Sequence, residues 1–202
     1  MGGEAEEPRV EYVSRGGLKL AAALDRFGIS PEGRVCADLG CSTGGFSDVL
    51  LRRGAARVHA VDTGYGVLAW RLRADPRVVV HERTNALRVS LPEPCALVVI
   101  DCGWTRQELI VPRALDLLAP GGDIVSLLKP QYEAPPGWLT GGRLPPERLA
   151  DVEAAVVARL EALPGPSGPL CHVVAAMPSP LPGGKGGNLE ILLHVRPGPA
   201  AA

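Results

Sequence analysis

Lysine is nearly missing from this chain: of 21 cationic side chains in 202 residues, only Lys19, Lys129 and Lys185 are not arginine. Burial pulls a lysine pKa down while a guanidinium stays protonated, so lysine marks places where a charge must be able to leave. An excess of either charge is also missing. The net charge of −1 excludes a general electrostatic grip on a polyanion, so any RNA contact is local or assisted by a helper protein. No run of about 18 apolar residues occurs, which excludes a membrane-spanning helix. The opening MGGEAEEPRVEY is acidic and has no apolar core, so no secretory signal is expected and a cytoplasmic location is. Five cysteines (Cys36, Cys41, Cys95, Cys102, Cys171) contain no C-x-x-C pair, which argues against structural zinc and for reduced thiols packed as small hydrophobes. His59, His81, His172 and His194 lie far apart without metal-ligand spacing, and no metal site is expected. Neither G-x-x-x-x-G-K-[ST] nor G-x-G-x-x-G appears, which removes the nucleoside triphosphate and nicotinamide frames.

What remains is an ordinary globular composition, 46 % hydrophobic and 21 % charged, at a length that fits one domain. Residues 12–196 are expected to form it, with tails at 1–11 and 197–202. Helical spacing over 15–27 is followed by a short apolar strand (34–40), a glycine turn and a helix (42–54). Strands at 57–62, 77–82, 95–101 and 123–129 then alternate with helices at 67–75 and 105–118. Residues 130–146, rich in proline and glycine, read as a long mobile loop. A helix at 147–163 and strands at 170–177 and 188–195 complete an α/β pattern: a mostly parallel sheet covered by helices on both faces.

In such a sheet, ligands sit beyond the carboxyl ends of the strands at the switch point. The turn DLGCSTGG (38–45) closes the first strand there. Gly40 permits the tight turn, Gly44 and Gly45 let a ligand approach the backbone, and the next helix offers free N–H groups. Asp62 ends the second strand, where a carboxylate accepts both hydroxyls of a ribose. Lys129 ends an apolar strand at the same edge as Asp38, Asp62 and Asp101, and burial there would lower its pKa and suit it to accept a proton. Lys19 would add a second positive charge, with Asp101 and Glu190 opposing it. Glu190, between Leu189 and Ile191, needs a partner if it points inward. The plainer alternatives are that Lys129 snorkels to solvent, Lys19 lies on a wet helix face and Asp101 caps a helix. Lys185 reads as a loop lysine and Cys41 as a packed residue.

The stretches YVSRGGLKLAAALDRFGI, DLGCSTGGFSDVLLRRGAARVHAVDTGYG, ERTNA, VVIDCGW, LLKPQYE and SPLPGGKGGNLEILL, in this order, resemble the hemolysin A (TlyA) and FtsJ-type rRNA ribose 2'-O-methyltransferases. The resemblance implies the Rossmann-like class I S-adenosylmethionine (SAM)-dependent methyltransferase fold, seven strands with the last antiparallel. It implies a Lys-Asp-Lys-Glu tetrad on Lys19, Asp101, Lys129 and Glu190. It also implies SAM contacts at Asp38 and Gly40 for the methionine end and Asp62 for the ribose. Asn85 would lie beside the adenine, with Ser42, Gly44, Gly45, Phe46 and Asp101 around the cofactor. Family members of the TlyA type carry an S4-like RNA-binding domain ahead of the SRGG stretch, where this sequence has a short acidic segment. Their motif after the aspartate usually runs Val-Ser-Phe, where this chain has Cys102, Gly103 and Trp104.

The expected activity is SAM-dependent ribose 2'-O-methylation of RNA, with rRNA as the partner the resemblance implies and no membrane partner. The alternatives are a methyltransferase for a small molecule or protein, or a SAM-binding module without turnover. Arg15, Arg106, Arg143 and Arg148 are candidate phosphate contacts or solvated surface charges. Trp104 and Trp138 are candidate base-stacking residues or packing residues.

Overall fold

The computed structural model describes residues 12–184 and 187–199; the expected tail 1–11, the end 200–202 and Lys185 lie outside the described residues. Helix α1 (Gly16–Phe27) ends where Gly28 turns left-handed at φ 67°. The Gly28 and Ile29 N–H groups return to the carbonyls of Asp25 and Leu24, and Ile29 and Leu24 both enter the core, the usual glycine-closed helix end. The parallel strands follow: β1 (Val35–Leu39), β2 (Arg57–Val61), β3 (Val78–His81), β4 (Cys95–Ile100) and β5 (Leu118–Leu128). Between them run α2 (Gly45–Arg52), a single turn α3 (Trp70–Arg73) and α4 (Gln107–Leu115). Next come a short α5 (Pro130–Glu133), α6 (Leu149–Glu161), β6 (Cys171–Pro178) and β7 (Ile191–Pro197).

The strands lie in the order β3-β2-β1-β4-β5-β7-β6. β1 to β5 are parallel, and β7 runs antiparallel to both β5 and β6. This is the seven-stranded, mostly parallel class I methyltransferase topology. The order reverses between β1 and β4, so the crevice opens at their carboxyl ends.

Side chains alternate between two cores. Cys36, Leu97, Val99, Val125, Leu127 and Leu192 face the side covered by α1 and α2, while Ala37, Leu39, Val98, Ile100, Ile124 and Leu193 face α4 and α6. Counting two residues on from the first set reaches Asp38, Asp101, Lys129 and, backwards along the antiparallel strand, Glu190. Strand parity thus aims all four toward the α1 side of one sheet edge.

Three expectations need correction. The 130–146 segment is not a featureless loop: α5 is followed by 3₁₀ turns at Pro136–Trp138 and Pro146–Arg148. The buried Glu133 carboxylate ties it down, accepting from the Gln107 N–H at 2.6 Å and from Arg159 at 2.7 Å. Trp138 is half-buried against the second core, with the Arg148 guanidinium 4.6 Å above its ring, so it packs. Glu190 precedes β7 by one residue instead of lying within it, and the helix expected over 67–75 shortens to Trp70–Arg73.

Candidate active site

Two adjoining cavities, of about 250 and 430 Å³, form a trough along the carboxyl ends of the strands, with Gly40, Ser42 and Asp101 lining both. The first is bordered by Ser14, Arg15, Lys19, Asp38 and Gly45. The second is bordered by Asp62, Thr84, Asn85, Ile110 and Lys129. Sharp local geometry brings the strand ends together. Gly40 has φ 85°, and a Cβ there would stand 2.7 Å from the Asp101 carbonyl oxygen, so β1 and β4 approach more closely than any side chain allows. The variant Gly40→Ala is therefore expected to lose about 1–3 kcal/mol of stability, read as a lower denaturant midpoint at unchanged slope. An unchanged midpoint would mean the turn carries no such constraint.

Gly45 acts in the same way between helices: a Cβ there would meet the Ser14 hydroxyl and the Gly17 nitrogen. The start of α1 therefore lies directly on α2, and this contact brings Lys19 of α1 to the sheet edge. Gly44 departs from its expected role. It lines neither cavity, and its missing side chain makes room for Leu72 and Leu68, so it serves packing and not ligand approach. Phe46 is buried in the first core and touches the first cavity with what remains exposed.

Asp38 is wholly buried. Its Oδ2 accepts from the Ser47 N–H at 2.9 Å and hydroxyl at 2.6 Å, while Oδ1 has no hydrogen-bond partner among the described residues. Burial pushes this carboxyl up to about 7 against the Ser47 hydrogen bonds, with the charge of Asp101 adding to the rise. An unsatisfied carboxylate oxygen beside an open cavity is a site for a cationic group such as an ammonium. Ser47, on the first turn of α2, was not singled out from sequence; a hydroxyl on the buried face of that turn was the available signal.

Asp62 is held by backbone at both oxygens, accepting from the Ser42 N–H at 2.8 Å and the Gly64 N–H at 2.7 Å. The remaining lone pairs can still accept from a ligand's hydroxyls. Asn85 forms a turn in which its carboxamide oxygen accepts the Leu87 N–H at 2.9 Å. These features suit a nucleoside at the second cavity and an amino-acid group at the first. The residues present therefore fit SAM.

Along the trough, where Lys19 lines the first cavity, Lys129 the second and Asp101 both, the two lysines and two acids stand as two ion pairs. Lys19 and Glu190 are both buried and pair directly, and Lys129 Nζ lies 2.5 Å from Asp101 Oδ1. Gly183 lets Glu190 take this place, since a Cβ there would stand 2.6 Å from Glu190 Oε1. Burial lifts the Glu190 pKa above its ordinary value, partly offset by Lys19. The expected fall at Lys129 is not found. Burial does pull its pKa down, but the charge and hydrogen bond of Asp101, then Glu190 and Tyr132, outweigh it and hold the amine above the ordinary 10.5.

Other candidates separate from this site. Arg106 pairs with Glu108 and Glu133, Arg148 with Asp151, and Arg143 is exposed, while Arg15 borders the first cavity. His59 and His81 meet each other at 3.0 Å, and His194 joins Asp123 and Arg196 at the opposite end of β5. The cysteines are free thiols whose pKa burial raises, to about 12 at Cys102 and higher still at Cys41. Among the described residues no cluster of metal-ligating side chains occurs, and no helix is long and apolar enough to cross a membrane.

Residues 12–145 match the model of the FtsJ-like methyltransferase family. The chain is 44 % identical over 191 residues to the 16S/23S rRNA (cytidine-2'-O)-methyltransferase TlyA of Mycobacterium tuberculosis, covering 92 % of this chain and 68 % of that protein. It is 42 % identical over 191 residues to YqxC of Bacillus subtilis, a candidate rRNA methyltransferase, covering 92 % of this chain and 66 % of that one. This chain thus spans about two thirds of the length of these curated relatives. A crystal structure of a candidate hemolysin from Lactococcus lactis superposes with a TM-score of 0.84 at 35 % identity, covering 93 % of this chain and 89 % of that one.

Proposed function

Because the chain belongs to the FtsJ-like methyltransferase family, we propose that it methylates a ribose 2'-hydroxyl of ribosomal RNA, with a cytidine of 16S or 23S rRNA as the candidate nucleotide by likeness to its relative. The observation that carries this reading is the presence of two lysine–carboxylate pairs, Lys19–Glu190 and Lys129–Asp101, beside the two cavities, with Lys19 lining the first, Lys129 the second and Asp101 both. SAM, when bound, supplies an electrophilic methyl group on a positively charged sulfonium. Asp38 and Gly40 would hold its methionine end, and Ser42, Gly45 and Phe46 border the same cavity. Asp62 would hold its ribose and Asn85 would face its adenine, both from the lining of the second cavity.

Lys129 receives the proton of the substrate hydroxyl at Nζ. In the free protein this amine is protonated, so it must first lose its charge. It gives that proton to solvent while the trough is open, and exclusion of water then disfavours its return, because low dielectric disfavours an ammonium. Asp101 keeps Nζ in place, and Lys19, anchored by Glu190, supplies a fixed positive charge that positions the substrate oxygen. Positioning of this kind carries much of the rate in a displacement that needs in-line approach.

The test is transfer of radiolabelled methyl from SAM to rRNA from a strain lacking the gene, beside protein and small-molecule extracts. The expected result is label in rRNA that survives alkali as a ribose methyl. Label only in another fraction would assign a different substrate to the same fold. SAM binding without label in any fraction would leave a binding module.

A further inference from the structure

Asp38 and Ser47 stand nine residues apart, and the turn between them lays the end of β1 against the first turn of α2. Both side chains are wholly buried. The two donors of Ser47, its N–H at 2.9 Å and its hydroxyl at 2.6 Å, converge on a single oxygen of Asp38, Oδ2. The other oxygen accepts no hydrogen bond among the described residues, although Asp38 borders the first cavity. A buried carboxylate that served structure alone would be most stable with its donors shared between both oxygens, since a bare buried acceptor costs free energy. Here both donors go to one oxygen, and the other is left for a ligand in the cavity.

Of the two donors, only the hydroxyl depends on the side chain at position 47. The N–H belongs to the first turn of a helix, where backbone donors lack partners within the helix. A hydrogen bond to a carboxylate favours its charged form. The other groups around Asp38 do not supply that help. Asp101 and Asp62 repel its charge, and the neighbouring Cys41 thiol is neutral, pushed well above its ordinary value. Lys19 on α1 and Arg15 just before it border the same cavity. Burial is the strongest influence on Asp38, and the Ser47 hydroxyl is the strongest that opposes it.

We propose that Ser47 is the positioning residue for the methionine end of SAM: by holding Oδ2 it leaves Oδ1 to the ligand's ammonium and favours the charged carboxylate that captures it. This inference rests on the placement of that end beside Asp38 in the reading above. Ser47 lines neither cavity, so it acts only through Asp38.

The experiment measures SAM affinity by calorimetry from pH 6 to 9 for wild type, Ser47→Ala and Ser47→Thr. Wild-type affinity should rise through neutrality as Asp38 ionises and then level off. Ser47→Ala should follow the same curve displaced upward by about one pH unit, the size expected for one hydrogen bond to a charged group. It should therefore bind SAM about fivefold more weakly at pH 7, yet within about twofold of wild type at pH 9. Ser47→Thr keeps the hydroxyl and should restore the wild-type midpoint. Thermal unfolding supplies a readout without ligand: removing the hydroxyl should destabilise the protein more at pH 8.5 than at pH 5, where Asp38 holds its proton. A Ser47→Ala affinity curve lowered equally at every pH would make Ser47 a packing residue of α2 and overturn the proposal, as would a curve that coincides with wild type. Wild-type affinity that stays constant from pH 6 to 9 would overturn the placement of the methionine end at Asp38 and this inference with it. The wild-type curve thus separates the two failures.

Discussion

Lys129→Ala is expected to cut methyl transfer by about a hundred- to ten-thousandfold, the span that a positioned general base contributes, while SAM still binds. The ammonium stands 2.5 Å from Asp101 and lines the second cavity, so its loss removes the proposed proton acceptor without touching Asp38 or Asp62. Lys129→Arg makes the test sharper. Arginine can keep the ion pair with Asp101 and so preserve the fold, yet it cannot give up its proton at any working pH. If proton acceptance is the role, Arg fails almost as badly as Ala; if the charge alone matters, Arg restores activity. The pH dependence carries the same information. The pKa of Lys129 lies above the ordinary 10.5 in the free protein, so the fraction of neutral amine grows as pH rises, and single-turnover rates should climb from pH 7 toward 9. Both variants should flatten that climb. Near-wild-type turnover in Lys129→Ala would remove the residue from the mechanism.

Asp38→Asn is expected to make the protein more stable and to abolish SAM binding. The Asp38 carboxyl is buried and raised to about 7 from an ordinary 3.8 by burial, then by Asp101 and Asp62, against the opposing Ser47 hydrogen bonds. The sign follows from proton counting. Between those two values the folded protein holds a proton that the unfolded chain has released, so stability falls as pH rises from about 4 to about 7 and stays lowered above it. A neutral asparagine of the same shape escapes this cost, which gives a gain of up to about 4 kcal/mol at pH 8. The same substitution removes the negative charge that would hold the ammonium of the methionine end. In the wild type, SAM affinity should decline below pH 7 as Asp38 takes up its proton, and binding near neutrality should release a proton. Thermal unfolding of both proteins, with calorimetry in buffers of different ionisation enthalpy, reads all three effects. An asparagine variant that melts lower, or that binds SAM like wild type, would overturn this account of the site.

Most residues of the candidate site were legible because they sit at element boundaries that chemistry punctuates. Apolar strands that stop at Asp38–Gly40, Asp62, Asp101 and Lys129 place those groups at one sheet edge whenever the strands are parallel, and alternation by two sends Asp38, Asp101 and Lys129 to the same face. Scarcity of lysine singled out Lys19 and Lys129 without any knowledge of the fold. Glycine at 40 follows from a strand that must turn where a second strand's backbone passes within van der Waals contact.

Other features depend on partners that lie far apart along the chain. Glu190 reaches the site because β7 runs antiparallel, so its beginning meets the ends of the parallel strands; apolar alternation reads the same in either direction. Gly44 and Gly45 look alike as neighbours in a turn, yet one is filled by Leu68 and Leu72 and the other by the start of α1, since each Cα points to a different neighbour. The 130–146 segment is ordered by Glu133 reaching α4 and α6, a contact that its proline and glycine content conceals. The direction of the Lys129 shift is also tertiary: burial and the nearby carboxylates act oppositely on the amine, and only their distances decide which prevails. Local composition thus determined which groups stand at the strand ends and which face they take, while the packed fold decided their partners, because pair energies depend on separations that no short stretch of sequence contains.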